Sequence, residues 1–100
     1  MSWQIGDVTL ESRFFLGSAG YPSPEVLRQS ILASGAQVVT LGLRRQLGID
    51  GNARSDNGFV DVVRSTGVHL LPNTAGCRSA REAVTLAMMS RELLGTHWLK

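Results

Sequence analysis

Apolar and polar positions alternate along this chain in short, recurring blocks. Trp3-Gln4-Ile5 and Val8-Thr9-Leu10 alternate on either side of Gly6-Asp7, which predicts a small hairpin. Arg13-Phe14-Phe15-Leu16-Gly17 is a compact apolar run stopped by glycine, and predicts a buried strand. A loop follows through Pro22. Ser23-Pro24-Glu25 then opens a helix: the serine can cap, proline loses nothing at the first helical position, and the carboxylate suits the positive end of the dipole. Val26, Leu27, Ile31 and the small Ser30 and Ser34 share one face, and Gly35 supplies the left-handed stop. Gln37 to Leu43 is β-branched and nearly all apolar, as a strand covered on both faces of a parallel sheet would be.

The second half repeats the alternation. Gln46 to Asn57 is polar and glycine-containing, and predicts a loop. Phe59, Val62, Val63 and Thr66 keep helical spacing up to Gly67. Val68 to Asn73 predicts a strand, with Pro72 where a ladder donor can be lost. Asn73-Thr74-Ala75-Gly76 is turn-forming, and Ser79-Ala80-Arg81-Glu82 has the form of a capping box. Ala80, Ala83, Val84, Ala87, Met88 and Leu94 make an apolar stripe expected to face the sheet, closed by Gly95. Thr96 to Lys100 predicts a fourth strand.

The fold class is therefore α/β. Strand starts recur roughly every 28 residues, and eight such units would make a (β/α)₈ TIM barrel of about 225 residues. Residues 1–100 are expected to form a single partial domain, the N-terminal portion of such a barrel: about three βα units plus the fourth strand. The competing architecture is a small, open, four-stranded α/β domain.

Composition narrows the function classes. With 43% hydrophobic residues and a net charge of +2, the chain is of globular rather than disordered type. Its arginines are scattered, with only Arg44 and Arg45 adjacent, unlike the clustered stripe of a nucleic-acid surface. No apolar run approaches membrane-spanning length, and the first residues lack a signal peptide's basic and apolar regions, so a cytoplasmic location is expected. The single cysteine, Cys77, excludes an internal disulfide and reads as a packed thiol. His69 and His97 sit within strand segments with no carboxylate at metal-ligand spacing, and read as structural.

Active sites of parallel-sheet proteins form at the carboxyl ends of the strands. That rule selects the Gly17-Ser18-Ala19-Gly20 loop, Arg44 and Arg45, Asn73 and Thr74, and Lys100. The glycine loop fits a plain turn and no phosphate-binding motif. Either arginine could hold a phosphate through forked hydrogen bonds, or serve as a solvated or ion-paired side chain. Asn73 and Thr74 could orient a substrate or simply shape a turn. Every basic residue except Lys100 is an arginine, and Lys100 closes the apolar run Trp98-Leu99-Lys100. Inside a barrel, desolvation would favour its neutral amine, the form that attacks a carbonyl. An exposed lysine is the alternative.

Leu71-Pro72-Asn73-Thr74-Ala75-Gly76-Cys77, followed by Ala80-Arg81-Glu82-Ala83-Val84, resembles the thiazole synthase family of bacterial thiamine biosynthesis. So do Ser12-Arg13 through Leu16-Gly17, Tyr21-Pro22-Ser23, and Thr40-Leu41 through Arg44-Arg45. The resemblance runs the length of the chain. It implies that Lys100 is the catalytic lysine, forming a Schiff base with the ketone of 1-deoxy-D-xylulose 5-phosphate. It further implies sulfur delivery from the thiocarboxylate of a ubiquitin-like carrier protein, condensation with dehydroglycine, no metal or organic cofactor, and a homo-tetramer. Gly20 stands where the family usually has a lysine. The family's later carboxylate and phosphate-binding loops fall outside these 100 residues, so little or no turnover is expected of them alone. Two other classes fit the residues: a different sugar-phosphate barrel of aldolase or epimerase type, and a non-catalytic α/β remnant.

Overall fold

The computed structural model describes residues 1–46 and 57–100. The chain opens with an antiparallel hairpin of β1 (Trp3–Ile5) and β2 (Val8–Leu10), turned at Gly6 with φ of 57°. Then follow β3 (Phe15–Gly17), α1 (Pro24–Ser34), β4 (Val38–Gly42), the single turn α2 (Leu43–Gln46), α3 (Asn57–Ser65), β5 (His69–Asn73) and α4 (Ala80–Leu94). Strands β3, β4 and β5 form one parallel sheet in chain order, registering Gly17 on Thr40 and Gly42 on Asn73. The α/β class with a parallel sheet is thus as expected. The predicted loop over 46–57 ends differently at both edges: Gln46 closes α2 and Asn57 opens α3, and residues 47–56 lie outside the described residues.

The helix ends follow the local chemistry. The Ser23 hydroxyl accepts a hydrogen bond from the Val26 amide at 3.2 Å, Pro24 takes the first helical position, and Gly35 ends α1 at φ 69°. The Ser79 hydroxyl likewise accepts from the Glu82 amide at 3.1 Å, and Gly95 ends α4 at φ 68°.

Alternation along the strands decides where the core lies. Val39 and Leu41 of β4 and Leu70 of β5 join Leu27 and Ile31 of α1 and Val63 of α3 in one buried cluster, with Leu16, Phe59 and Leu94 packed against it. All four of these strand residues share one parity, so the helices cover a single face of the sheet. The opposite face carries Phe15, Gly17, Val38, Thr40, Gly42, His69, Leu71 and Asn73. At its amino end the hairpin lies over it, with Trp3 stacked on Phe15 at 6.0 Å. The Gln37 side-chain oxygen ties the hairpin exit to β4, accepting from the Glu11 and Ser12 amides at 2.6 and 2.7 Å.

Four expectations are corrected. The Phe14-Phe15-Leu16 run is not a buried strand: Phe15 points to the face away from the helices, Phe14 precedes β3, both are exposed, and only Leu16 meets the helices. On α1, Leu27 and Ile31 are buried but Val26 is not. On α4 the inward line runs through Leu86 and Ser90, with Ala83 and Ala87 half-buried; Ala80, Val84 and Met88 face away, Val84 being 59% exposed. Ser90 tolerates burial because its hydroxyl donates to the Ala87 carbonyl at 2.9 Å. Finally, residues 96–100 form no assigned strand. Only Lys100 joins the sheet: its amide donates to the Pro72 carbonyl at 2.9 Å, and its carbonyl accepts from the Thr74 amide at 3.2 Å. That is one rung of a parallel ladder beside β5.

Candidate functional site

A cleft of about 280 Å³ opens at the carboxyl ends of the three strands. Gly17, Ser18 and Ala19 border it after β3, Thr40 and Gly42 on β4, and Asn73 and Ala75 at and after β5. Arg44 and Arg45 of α2 complete the wall. Small residues keep it open. The Ser18 hydroxyl donates to the Thr40 carbonyl at 2.6 Å, which fixes the β3 loop to the neighbouring strand. Asn73 makes a local turn: its side-chain oxygen accepts from the Ala75 amide at 3.2 Å, leaving the amide nitrogen unengaged by any described residue.

The two arginines differ. Arg44 is held by an ion pair from its Nη1 to Glu82 Oε1, both side chains only partly exposed. To reach Glu82 the arginine crosses the β5–α4 loop at Gly76. A Cβ on that glycine would lie 3.0 Å from Arg44 Cδ and 3.1 Å from Nε, and the glycine's φ of 88° also suits no other residue well. Glu82 therefore does more than a capping box requires. Its carboxylate serves Arg44 and, at 3.4 Å, the Arg78 amide, rather than returning to the cap's own amide. Arg45, one residue on, is exposed and makes no hydrogen bond or ion pair among the described residues.

The ladder rung described above sets Lys100 beside Asn73. Residues paired across a ladder project to the same face. Lys100 therefore lies on the sheet's open face, next to a residue that borders the cleft. It is exposed and does not itself line the cleft.

Other singled-out residues fall elsewhere. His69 packs against Trp98, ring centroids 5.5 Å apart, at the amino end of β5. There it borders a second cleft of about 350 Å³ with His97 and Arg64. This end of the sheet lies opposite the strand ends where parallel-sheet chemistry sits. Cys77 is a half-buried free thiol, its amide bonded to the Thr74 carbonyl at 3.1 Å. No group of three or more His, Cys, Asp or Glu that could hold a metal occurs among the described residues. Nor is any described helix long and apolar enough to cross a membrane.

Sequence reasoning chose Arg44, Arg45, Asn73 and Lys100 from strand ends, and these converge on one edge of the sheet. It missed Thr40, Glu82 and Gly76. Glu82 was visible only as a cap residue. Its partner lies 38 positions away, and no local pattern reports such a contact.

The family model for thiazole biosynthesis protein ThiG matches residues 4–100. The chain belongs to this family. Curated relatives named thiazole synthase are similar to it along nearly its whole length. The Coxiella burnetii (strain Dugway) protein is 49% identical over 98 residues, covering 98% of this chain and 36% of its own length. That of Bradyrhizobium sp. (strain BTAi1) is 49% identical over 94 residues, covering 94% and 35%. The Brucella anthropi protein is 50% identical over 90 residues, covering 90% and 34%. The chain thus spans about a third of the length of the curated relatives it matches.

Proposed function

We propose that this chain serves in a thiazole synthase, carrying the lysine that captures a keto sugar phosphate. The observation that bears most weight is the backbone rung that puts Lys100 in register with Asn73, at the edge of the strand-end cleft. Family membership supports the reaction class. The helices' confinement to one sheet face supports a barrel sector, since barrel strands carry helices only on the outside. Residues 1–100 would then be one partial domain of that barrel.

In this reading the neutral Lys100 Nζ adds to the ketone of 1-deoxy-D-xylulose 5-phosphate, and loss of water gives a protonated imine. The imine withdraws electrons from the adjacent C–H bond. Its proton leaves to a base, and reprotonation moves the carbonyl along the carbon chain. Sulfur enters from the thiocarboxylate of a ubiquitin-like carrier protein. Condensation with dehydroglycine and loss of water close the thiazole ring. The assembly is a cytoplasmic homo-tetramer, and these steps need no metal or organic cofactor.

Borohydride reduction tests the central step. In the full chain, reduction in the presence of 1-deoxy-D-xylulose 5-phosphate is expected to fix the sugar covalently on Lys100, located by peptide mass spectrometry. Lys100→Arg retains the charge but offers no neutral amine, because arginine stays protonated. It is expected to abolish trapping with an unchanged circular dichroism spectrum. An adduct on another residue of the Lys100→Arg protein would overturn the assignment.

A further inference from the structure

We propose that Arg45 and Asn73 form an oxyanion subsite within the strand-end cleft, taking the carboxylate or phosphate of a reactant; this rests on the reading that reactants occupy that cleft. The argument is an account of donors. The Ser18 proton is engaged by the Thr40 carbonyl. The Arg44 charge is balanced by Glu82. The Asn73 oxygen is occupied by the Ala75 amide. Three side-chain donors on the cleft wall then remain among the described residues: the Thr40 hydroxyl, the Arg45 guanidinium and the Asn73 amide nitrogen. Arg45 and Asn73 flank the same glycine. A Cβ on Gly42 would lie 3.9 Å from Arg45 Cβ and 3.9 Å from Asn73 Oδ1, so no side chain stands between them there.

Charge points the same way. No described Asp or Glu lines the cleft, so among the described residues no carboxylate there offsets the Arg45 charge. A planar fork of N–H donors beside a neutral amide donor complements a carboxylate or phosphate, and repels a cationic ligand. The small Gly17, Ala19 and Ala75 leave room for such a group.

Calorimetric titration of the full chain with inorganic phosphate and, in a separate arm, with acetate tests the subsite at fixed chloride. At least one anion is expected to bind. Arg45→Gln should weaken that binding about tenfold to a hundredfold, the loss of a charge-assisted hydrogen-bonding pair. Arg45→Lys should recover only part of it, since the charge returns without the fork. Asn73→Asp keeps the oxygen that forms the turn but exchanges the donor for a negative charge, and should weaken binding at least as much while the protein stays folded. Tighter phosphate binding assigns the subsite to a phosphoryl group, and tighter acetate binding to a carboxylate. Equal affinity in wild type and Arg45→Gln, or no binding of either anion, overturns the proposal. Borohydride trapping on Lys100 is read independently. Its failure alongside Arg45-dependent anion binding would remove the thiazole-synthase chemistry and leave the subsite standing.

Discussion

The two faces of the parallel sheet are built from the same strands and do opposite things. One face presents Leu16, Val39, Leu41 and Leu70 to α1 and α3, and these residues are mostly withdrawn from water. The other presents Gly17, Thr40, Gly42 and Asn73, small or polar, around an open cleft with Lys100 alongside. Neighbours one position apart in sequence therefore answer to different demands. On the helix side, volume and apolarity hold the fold. On the open side, side chains are chosen for what they leave accessible. A strand with one covered and one open face can change its chemistry without losing its core, provided the register stays fixed.

The sharpest way to break this comparison is to truncate adjacent residues of β4. Leu41 is fully buried in the helix-side cluster. Leu41→Ala should destabilise by about 2–5 kcal/mol through lost burial and the cavity left behind. Thr40→Ala, on the open face, should cost about 1 kcal/mol or less, because its side chain borders the cleft rather than filling a core. Urea unfolding of both variants gives the two values. Equal losses would show that the open face carries packing of its own.

Gly76→Ala should have the next largest effect, at the seam between the two faces. The left-handed φ of 88° strains any Cβ-bearing residue, by about 1–3 kcal/mol. The new methyl group also presses on Arg44 where it crosses toward Glu82. The two contributions separate in a double-mutant cycle. With Arg44→Ala already present, the contact disappears and the backbone strain remains, so the cost should fall but not vanish. A cost fully erased by Arg44→Ala would mean that the loop relaxes and that only the arginine contact mattered.

Much of the fold could be read from local signals, and the site only in part. Ser23-Pro24, Ser79 and the glycines at 6, 35, 67 and 95 act within a turn of their own position, and each does locally what its chemistry suggests. The α4 stripe failed because apolar residues occur nearly all around that helix. Val84, Met88, Met89 and Leu93 are all exposed, so the pattern alone could not set the phase. The inward line contains the buried Ser90 and the half-buried, ion-paired Glu82, whose partners lie in the preceding turn and elsewhere in the chain respectively. Arg44 and Arg45 looked equivalent for the same reason. Which of them is neutralised depends on Glu82, and that becomes visible only when α2 and α4 are brought together. Lys100 was singled out from its place after an apolar run, and the structure gives it a single rung rather than a strand.

The smallest expected effect comes from a third surface, the outer side of α1, which belongs to neither sheet face and sets the baseline for both. Arg28 donates from Nη2 and Nε to the two Glu25 carboxylate oxygens at 2.7 and 2.9 Å, with both side chains exposed. The hydrogen bond from Arg28 holds the Glu25 carboxyl below its ordinary value. The pair's contribution is therefore complete above the carboxyl's ordinary, unfolded-state value. It is lost as the pH falls through the lower value of the folded protein. Replacing Arg28 isolates the pair, because Glu25 also favours the helix's positive end in its own right. Arg28→Gln should lower the urea midpoint only slightly near neutral pH, as solvent and salt screen exposed pairs. The difference from wild type should shrink as the solution is acidified and also in high salt. A difference that persisted at acidic pH would trace to the loss of the arginine's aliphatic packing on α1, and one as large as that of Leu41→Ala would remove the distinction between buried and solvated contacts on which the contrast of the two faces depends.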